Sequence, residues 1–234
     1  MHKPLVVLYT HTDAIDVWDM WYGEYEKYLN EYEVCLCVNS GVDIDHKKIS
    51  KHRKVFYDDS QTYTQRLQHI MKELGEETIL FLHEDMILYS EVDHDRISQY
   101  TNLVNESKVK SVKLIYVGDR CYISNIHDEL VENQYSKFSI QPTIIKTSTL
   151  LDILEDVDDL NIWDFENAIN HYEGHYMAKI GNEKKRGIYH YDSLVFPYVA
   201  TAIVKGKWNL SEYPKELSYM LSEYQINPED RGTV

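Results

Sequence analysis

The stretch Thr78-Ile79-Leu80-Phe81-Leu82-His83-Glu84-Asp85 decides how this chain is read. Its apolar run is continuous and then stops at three polar side chains. A short, unbroken apolar run bounded by polar residues is the pattern of a strand buried on both faces. In an open α/β sheet, ligands bind in the crevice outside the carboxyl ends of the strands. His83, Glu84 and Asp85 fall at that end. Two carboxylates with a histidine suit a hard divalent cation, and such a cation suits a diphosphate. A plain strand end reaching solvent would also turn polar here, so the motif needs support from the rest of the chain.

Working outward, Leu5 to Thr10 reads as a first buried strand, and Trp18, Trp21, Tyr22, Tyr25, Tyr28 and Leu29 recur at helical spacing. Val34 to Val38 and Lys54 to Tyr57 read as further strands, the latter closed by Asp58, Asp59 and Ser60. Tyr63, Leu67, Ile70, Met71 and Leu74 define an amphipathic helix with Gly75 as its C-cap. A helix from about Asp93 to Glu106 and a strand from Ser111 to Val117 follow. This alternation predicts an α/β fold with a mostly parallel sheet wrapped by helices.

The second half is less regular. Pro142 makes Phe138 to Ile145 an edge strand or a loop. Leu150, Leu151 and Leu154 suggest a short helix, and Phe165, Ala168, Ile169, Tyr172 and Tyr176 a stronger one. Val195 to Val204 is apolar but interrupted by Pro197. No linker rich in Gly, Pro or Ser divides the chain. One domain over residues 1–226 is expected, with a polar, frayed tail at 227–234.

The chain has 234 residues and a formal net charge of -15. That balance argues against non-specific nucleic-acid binding and against an anionic membrane surface, since both need a basic patch. A nucleotide diphosphate bound to so acidic a protein needs a cation, or a local Arg or Lys, to reverse the field. Cys35, Cys37 and Cys121 form no disulfide framework or zinc spacing, which points to a reducing cytoplasm. No run is long and apolar enough to span a membrane.

Thr10, Thr12 and Asp13 follow the first strand, where a wound sheet grips its nucleotide. There is no glycine-rich phosphate fingerprint, which counts against a dinucleotide dehydrogenase and a P-loop enzyme. Asp13 reads equally as a helix N-cap. Arg66 offers a phosphate its fork of donors, or else sits on a solvated helix face. In Asn161-Ile162-Trp163-Asp164-Phe165-Glu166, Asp164 fits a helix start capped by Asn161. Glu166 lies about 100° round the helix from Phe165 and suits a general base on a sugar hydroxyl.

These pieces together resemble a glycosyltransferase of the GT-A fold, similar to glycosyltransferase family 2. The resemblance runs from about Pro4 to Trp208. It rests on the Leu5–Tyr9 run, the Phe81–Asp85 strand end, Gln141-Pro142-Thr143-Ile144-Ile145, the Trp163–Glu166 helix start, and Ile203-Val204-Lys205-Gly206-Lys207-Trp208. It implies a Rossmann-like mixed sheet flanked by helices. It also implies Mn2+ or Mg2+ held by the counterpart of an Asp-x-Asp motif, here His83-Glu84-Asp85 with histidine in the first position. Asp85 is the first ligand implied, Glu84 the second, and His190, ahead of His175, a C-terminal one. The donor-binding group implied is Thr10, Thr12, Asp13, Asp58, Arg66, Glu84 and Gln141, and the catalytic acids are Glu166 or Asp164.

The expected chemistry is transfer of a sugar from a nucleoside diphosphate to an acceptor hydroxyl, with inversion. Two rivals remain. A nucleotidyltransferase usually needs a glycine-rich, basic loop after the first strand, and Tyr9-Thr10-His11-Thr12-Asp13 is neither. A non-catalytic sugar-binding protein of the same fold is favoured by His83.

Overall fold

The computed structural model describes residues 2–40, 51–118, 121–133, 139–169, 171–181, 183–187 and 191–234. At its centre lies β4 (Thr78–His83), with Ile79 to Leu82 buried. Burying each such side chain contributes about 1.5–3 kcal/mol. β1 (Leu5–Tyr9) runs parallel beside it, Val6 opposite Leu80 and Tyr9 opposite His83. β2 (Val34–Asn39) and β3 (Arg53–Tyr57) extend the parallel half outward. On the other side of β4 lies β9 (Thr143–Lys146), antiparallel to it. Then come β6 (Ser111–Lys113), β10 (His175–Ala178), β8 (Leu130–Asn133) and β7 (Cys121–Ile123). Among the described residues the sheet order is β3-β2-β1-β4-β9-β6-β10-β8-β7. Short strands β5 (Ile87–Leu88) and β11 (Tyr198–Val199) pair beside the sheet, as do β12 (Ile203–Val204) and β13 (Lys207–Trp208).

α1 (Ile15–Tyr28) buries Val17, Trp18, Met20 and Trp21. α2 (Tyr63–Leu74) opens on a capping box, Thr62 with Gln65, and ends at Gly75, whose φ of 76° suits glycine. α3 (His94–Asn105) is capped by Asp93, as its position implied. α4 (Thr147–Glu155) packs on α2, and α5 (Ile162–Ala168) also touches α2. α6 (Pro214–Glu223) starts on a proline in its first turn and buries Leu217, Met220 and Leu221. These layers share one apolar core.

Four expectations need correction. The Pro142 segment is no edge: β9 is central, because Pro142 lies just ahead of the strand and costs the ladder no donor. Its carbonyl still accepts from Leu114 N at 2.7 Å. The strand expected to reach Val117 stops at Lys113, the last residue of β6 in register with β9. The helix expected to reach Tyr176 ends at Ala168. The chain turns through Gly174, φ 86°, and Tyr176 enters β10 opposite Val112. Finally, the tail is not frayed. Residues 228–230 form a 3-10 turn, and Trp208 N and Val234 N bond to Gly232 O and Trp208 O, both at 3.0 Å.

Candidate active site

His83 ends β4 inside an aromatic enclosure. Its ring centroid lies 5.0 Å from that of Tyr9, 5.4 Å from Phe81 and 5.9 Å from Tyr63. Its Nε2 is 3.0 Å from the Tyr63 hydroxyl. Burial pushes its pKa down to about 3, so the ring stays neutral. The first position of the acidic motif is thus a packing residue with one nitrogen already engaged.

The chain turns directly after it, Met86 N donating to His83 O at 3.0 Å, and Glu84 and Asp85 occupy the turn. Both are partly buried. Burial, and next the charge of Asp85, push the Glu84 carboxyl up to about 8, against smaller lowering effects of Arg231 and the Thr10 hydroxyl. Burial pushes Asp85 up to about 6. Two adjacent carboxyls short of positive charge fit a divalent cation that takes its remaining ligands from phosphate and water. Among the described residues no group of three or more His, Cys, Asp or Glu forms a closed metal cluster. His190 lies outside the described residues. His175 is buried, its Nδ1 2.6 Å from Ser111 Oγ.

Glu166 joins this end of the sheet. Phe165 anchors α5 against Tyr63, ring centroids 6.1 Å apart. The charges of Glu166, Glu84 and Asp85 all act on the Tyr63 hydroxyl. Glu166 Oε1 accepts from Ile140 N at 2.5 Å, and burial raises its carboxyl above the usual range. Gln141 accepts from the Tyr198 hydroxyl, and that hydroxyl in turn feels Asp85. Lys113, at the end of β6, is also buried here, with Nζ 2.6 Å from Ser139 Oγ.

Asp164 parts company with Glu166. Its backbone N and that of Trp163 donate to Asn161 Oδ1 at 3.0 Å, and its carboxylate accepts from Asn161 Nδ2 at 2.6 Å. It is a helix-start residue and lines an outer cavity of about 570 Å3 with Asp156, Asp158, Asn167 and His171. Another cavity of about 540 Å3 lies at the far end of β4, beside Glu77, Thr78 and Lys146. Glu84, Asp85 and Glu166 line neither.

Residues after β1 form a closed turn. Thr10 is fully buried; its Oγ1 accepts from Trp18 Nε1 at 2.8 Å and its carbonyl from the Tyr57 hydroxyl at 2.8 Å. Thr12 N donates to Asn39 Oδ1 at 2.9 Å, and Asn39 Nδ2 to Thr12 Oγ1 at 3.0 Å. The cap of this turn is His11, not Asp13: His11 Nδ1 accepts from Asp13 N, and the Asp13 carboxylate points into solvent. Asp58 accepts from the Ser60 amide and hydroxyl, which hold its carboxyl below the usual range. Arg66 pairs with Asp59 at 2.9 Å and lies over the Tyr57 ring at 5.2 Å. The Arg66–Asp59 pair joins the β1 turn through His11, whose Nε2 lies 3.1 Å from Asp59 Oδ2, and Thr10 links that turn to Glu84.

Three contributors were missed in the sequence. The Tyr63 hydroxyl was hidden in a helical stripe. Lys113 was a lone cation inside an apolar run, which is a readable signal. Arg231 is brought in by the tail: its Nε donates to Asp16 Oδ2 at 2.6 Å and an Nη to Asp13 O at 2.9 Å, with the guanidinium 5.9 Å over the Trp208 ring.

The fold is a single α/β domain with a mostly parallel mixed sheet flanked by helices. No family model matches the sequence, and no curated protein matches it. Solved structures do. A cytidylyltransferase from Leptospira borgpetersenii serovar Hardjo-bovis (strain JB197) is similar at a TM-score of 0.50 and 12% identity, over 98% of this chain and 97% of that one. UDP-glucose pyrophosphorylase complexed with UDP-glucose gives 0.50 at 10% identity, over 76% of this chain and 90% of that one. CMP:2-keto-3-deoxy-manno-octonic acid synthetase complexed with CTP gives 0.50 at 10%, over 76% and 89%. At such identities the likeness is one of fold. The expected GT-A-like architecture is borne out, while these neighbours are nucleotidyltransferases rather than glycosyltransferases. Among the described residues no helix is long and apolar enough to cross a membrane.

Proposed function

We propose that this chain is a cytoplasmic, nucleoside-diphosphate-sugar-dependent glycosyltransferase, with Glu84 and Asp85 on the donor side and Glu166 as general base. The observation that carries this reading is a set of three partly buried carboxyls, Glu84 and Asp85 in the turn after β4 and Glu166 on α5, whose charges all bear on the Tyr63 hydroxyl. Glu166 is preferred to Asp164 as base because its charge bears on Tyr63 beside the β4 end and its burial makes it the stronger proton acceptor. Asp164 is spent on the start of α5.

Glu84 and Asp85 would hold Mn2+ or Mg2+, which when bound supplies positive charge to a departing diphosphate. Glu166 accepts the proton of an acceptor hydroxyl, saccharide or other. A base facing the acceptor implies direct displacement and inversion at the anomeric carbon, and retained configuration in the product by NMR would refute that step.

Nucleotidyl transfer is the second reading, favoured by the fold neighbours. Against it stands the β1 turn: it carries no glycine, lysine or arginine, and its polar groups are satisfied by Asn39, Trp18 and Tyr57. A triphosphate at that turn meets no free cation among the described residues, since Arg66 and Arg231 are both paired. Phosphorus-31 NMR separates the two. Nucleotide sugar with Mn2+ and a saccharide acceptor should release nucleoside diphosphate. Release of pyrophosphate from a nucleoside triphosphate and a sugar 1-phosphate, without the first reaction, would overturn the proposal in favour of nucleotidyl transfer.

A further inference from the structure

A buried lysine with no carboxylate in hydrogen-bond contact is costly, because the ammonium loses its hydration and a hydroxyl returns little of it. Lys113 is only 2% exposed, and among the described residues its hydrogen-bond partner is Ser139 Oγ. The next residue, Ile140, donates its amide to Glu166 Oε1. Lys113 and Glu166 thus clasp neighbouring residues of one short segment, from β6 on one side and α5 on the other. Each acts on the charge of the other. Burial pulls Lys113 down to about 8, and Glu166 is the largest influence opposing that fall. Burial raises Glu166, and Lys113 opposes that rise. Cys121, on β7, is the other titratable group acting on Lys113.

We propose that Lys113 is a positioning residue for Glu166, its ammonium keeping that carboxylate ionised and the 139–140 segment keeping it aimed at the β4 end. The inference rests on Glu166 being the base of the proposed function. It adds a second residue to that function, the lysine behind the base. Loss of the Lys113 proton removes the support from behind Glu166 without touching substrate, so the role is one of placement.

The test uses the full chain with carboxyl-labelled glutamate, its Glu166 signal assigned through Glu166→Gln. Titration by carbon-13 NMR follows Glu166 in wild type, Lys113→Met and Lys113→Arg. The methionine variant should raise the Glu166 midpoint measurably, and arginine should leave it near the wild-type value. The reciprocal measurement guards against a misfolded methionine variant: in Glu166→Gln, the Lys113 side-chain signal should titrate below its wild-type midpoint. An unchanged Glu166 midpoint in a folded Lys113→Met, or an unchanged Lys113 midpoint in Glu166→Gln, overturns the inference. Where a nucleotide sugar is turned over, the acidic limb of kcat against pH should move upward in Lys113→Met and return with arginine; a limb that stays put also overturns it. Absence of turnover in wild type, with the NMR shifts present, counts against the transferase reading and leaves the pairing established.

Discussion

Replacing Glu84 with glutamine should stabilise the metal-free protein at alkaline pH. A carboxyl whose pKa is raised on folding costs the fold nothing below its unfolded value. It then costs progressively more until the folded value is passed. For Glu84 that window runs from 4.5 to about 8. Each pH unit within it costs about 1.4 kcal/mol, so at neutral pH the burden is about 3 kcal/mol. Solvent reaching the partly exposed carboxyl trims this to about 2 kcal/mol. Glutamine keeps the shape and removes the ionisation. For a chain of this size the gain corresponds to a Tm higher by about 4–8 °C. The assay is thermal unfolding with chelator present, at pH 5 and pH 8. The gain should be full at pH 8 and under about 1 kcal/mol at pH 5, only half a pH unit above the unfolded value. A variant less stable than wild type at pH 8, or a gain equal at both pH values, would refute the argument that this turn holds uncompensated acid.

Other outcomes follow from the same coordinates. Mn2+ with a nucleoside diphosphate should stabilise the wild type by about 2.7 kcal/mol at a hundredfold excess over Kd, read as a higher Tm, and Asp85→Asn should abolish that increment in thermal shift. Trp18→Phe should cost about 1–3 kcal/mol in urea unfolding, because it leaves buried Thr10 Oγ1 without the Nε1 donor. Gly23→Ala should cost about 1–3 kcal/mol, since its new Cβ would stand 2.3 Å from the Tyr224 hydroxyl and drive it off Glu24; calorimetry reads the loss. Arg231→Ala should cost about 1 kcal/mol, limited by the exposure of Asp16. It should also speed protease cleavage of residues 228–234, seen by mass spectrometry.

The parallel half of the sheet was legible because its signals are local. β1, β2 and β4 are unbroken apolar runs, and the cap pairs Thr62–Gln65 and Asp93–Arg96 sit within one turn of sequence. The antiparallel half was not, because its placement depends on distant partners. β9 earns a central position by pairing β4 and β6 at once, which no reading of Pro142 in isolation reveals. The tail reads as polar yet is held by Trp208 and Asp16, far off in sequence. At the site, the position of Glu84 and Asp85 followed from β4 alone. The separation of Glu166 from Asp164 needed Ile140 and Asn161, and the capture of His83 by aromatic rings needed Tyr9 and Tyr63 from two other elements.

The seat of β9 has a bearing on biosynthesis. β4 emerges early, but the strand that covers its open side emerges about sixty residues later. Until then the nascent sheet presents Ile79 to Leu82 along a bare, flat edge, the kind of surface that recruits stray strands. Fragments ending before Thr143 should aggregate more when expressed than chains extending past α4, so β9 serves as the closing seam over β4 against self-association.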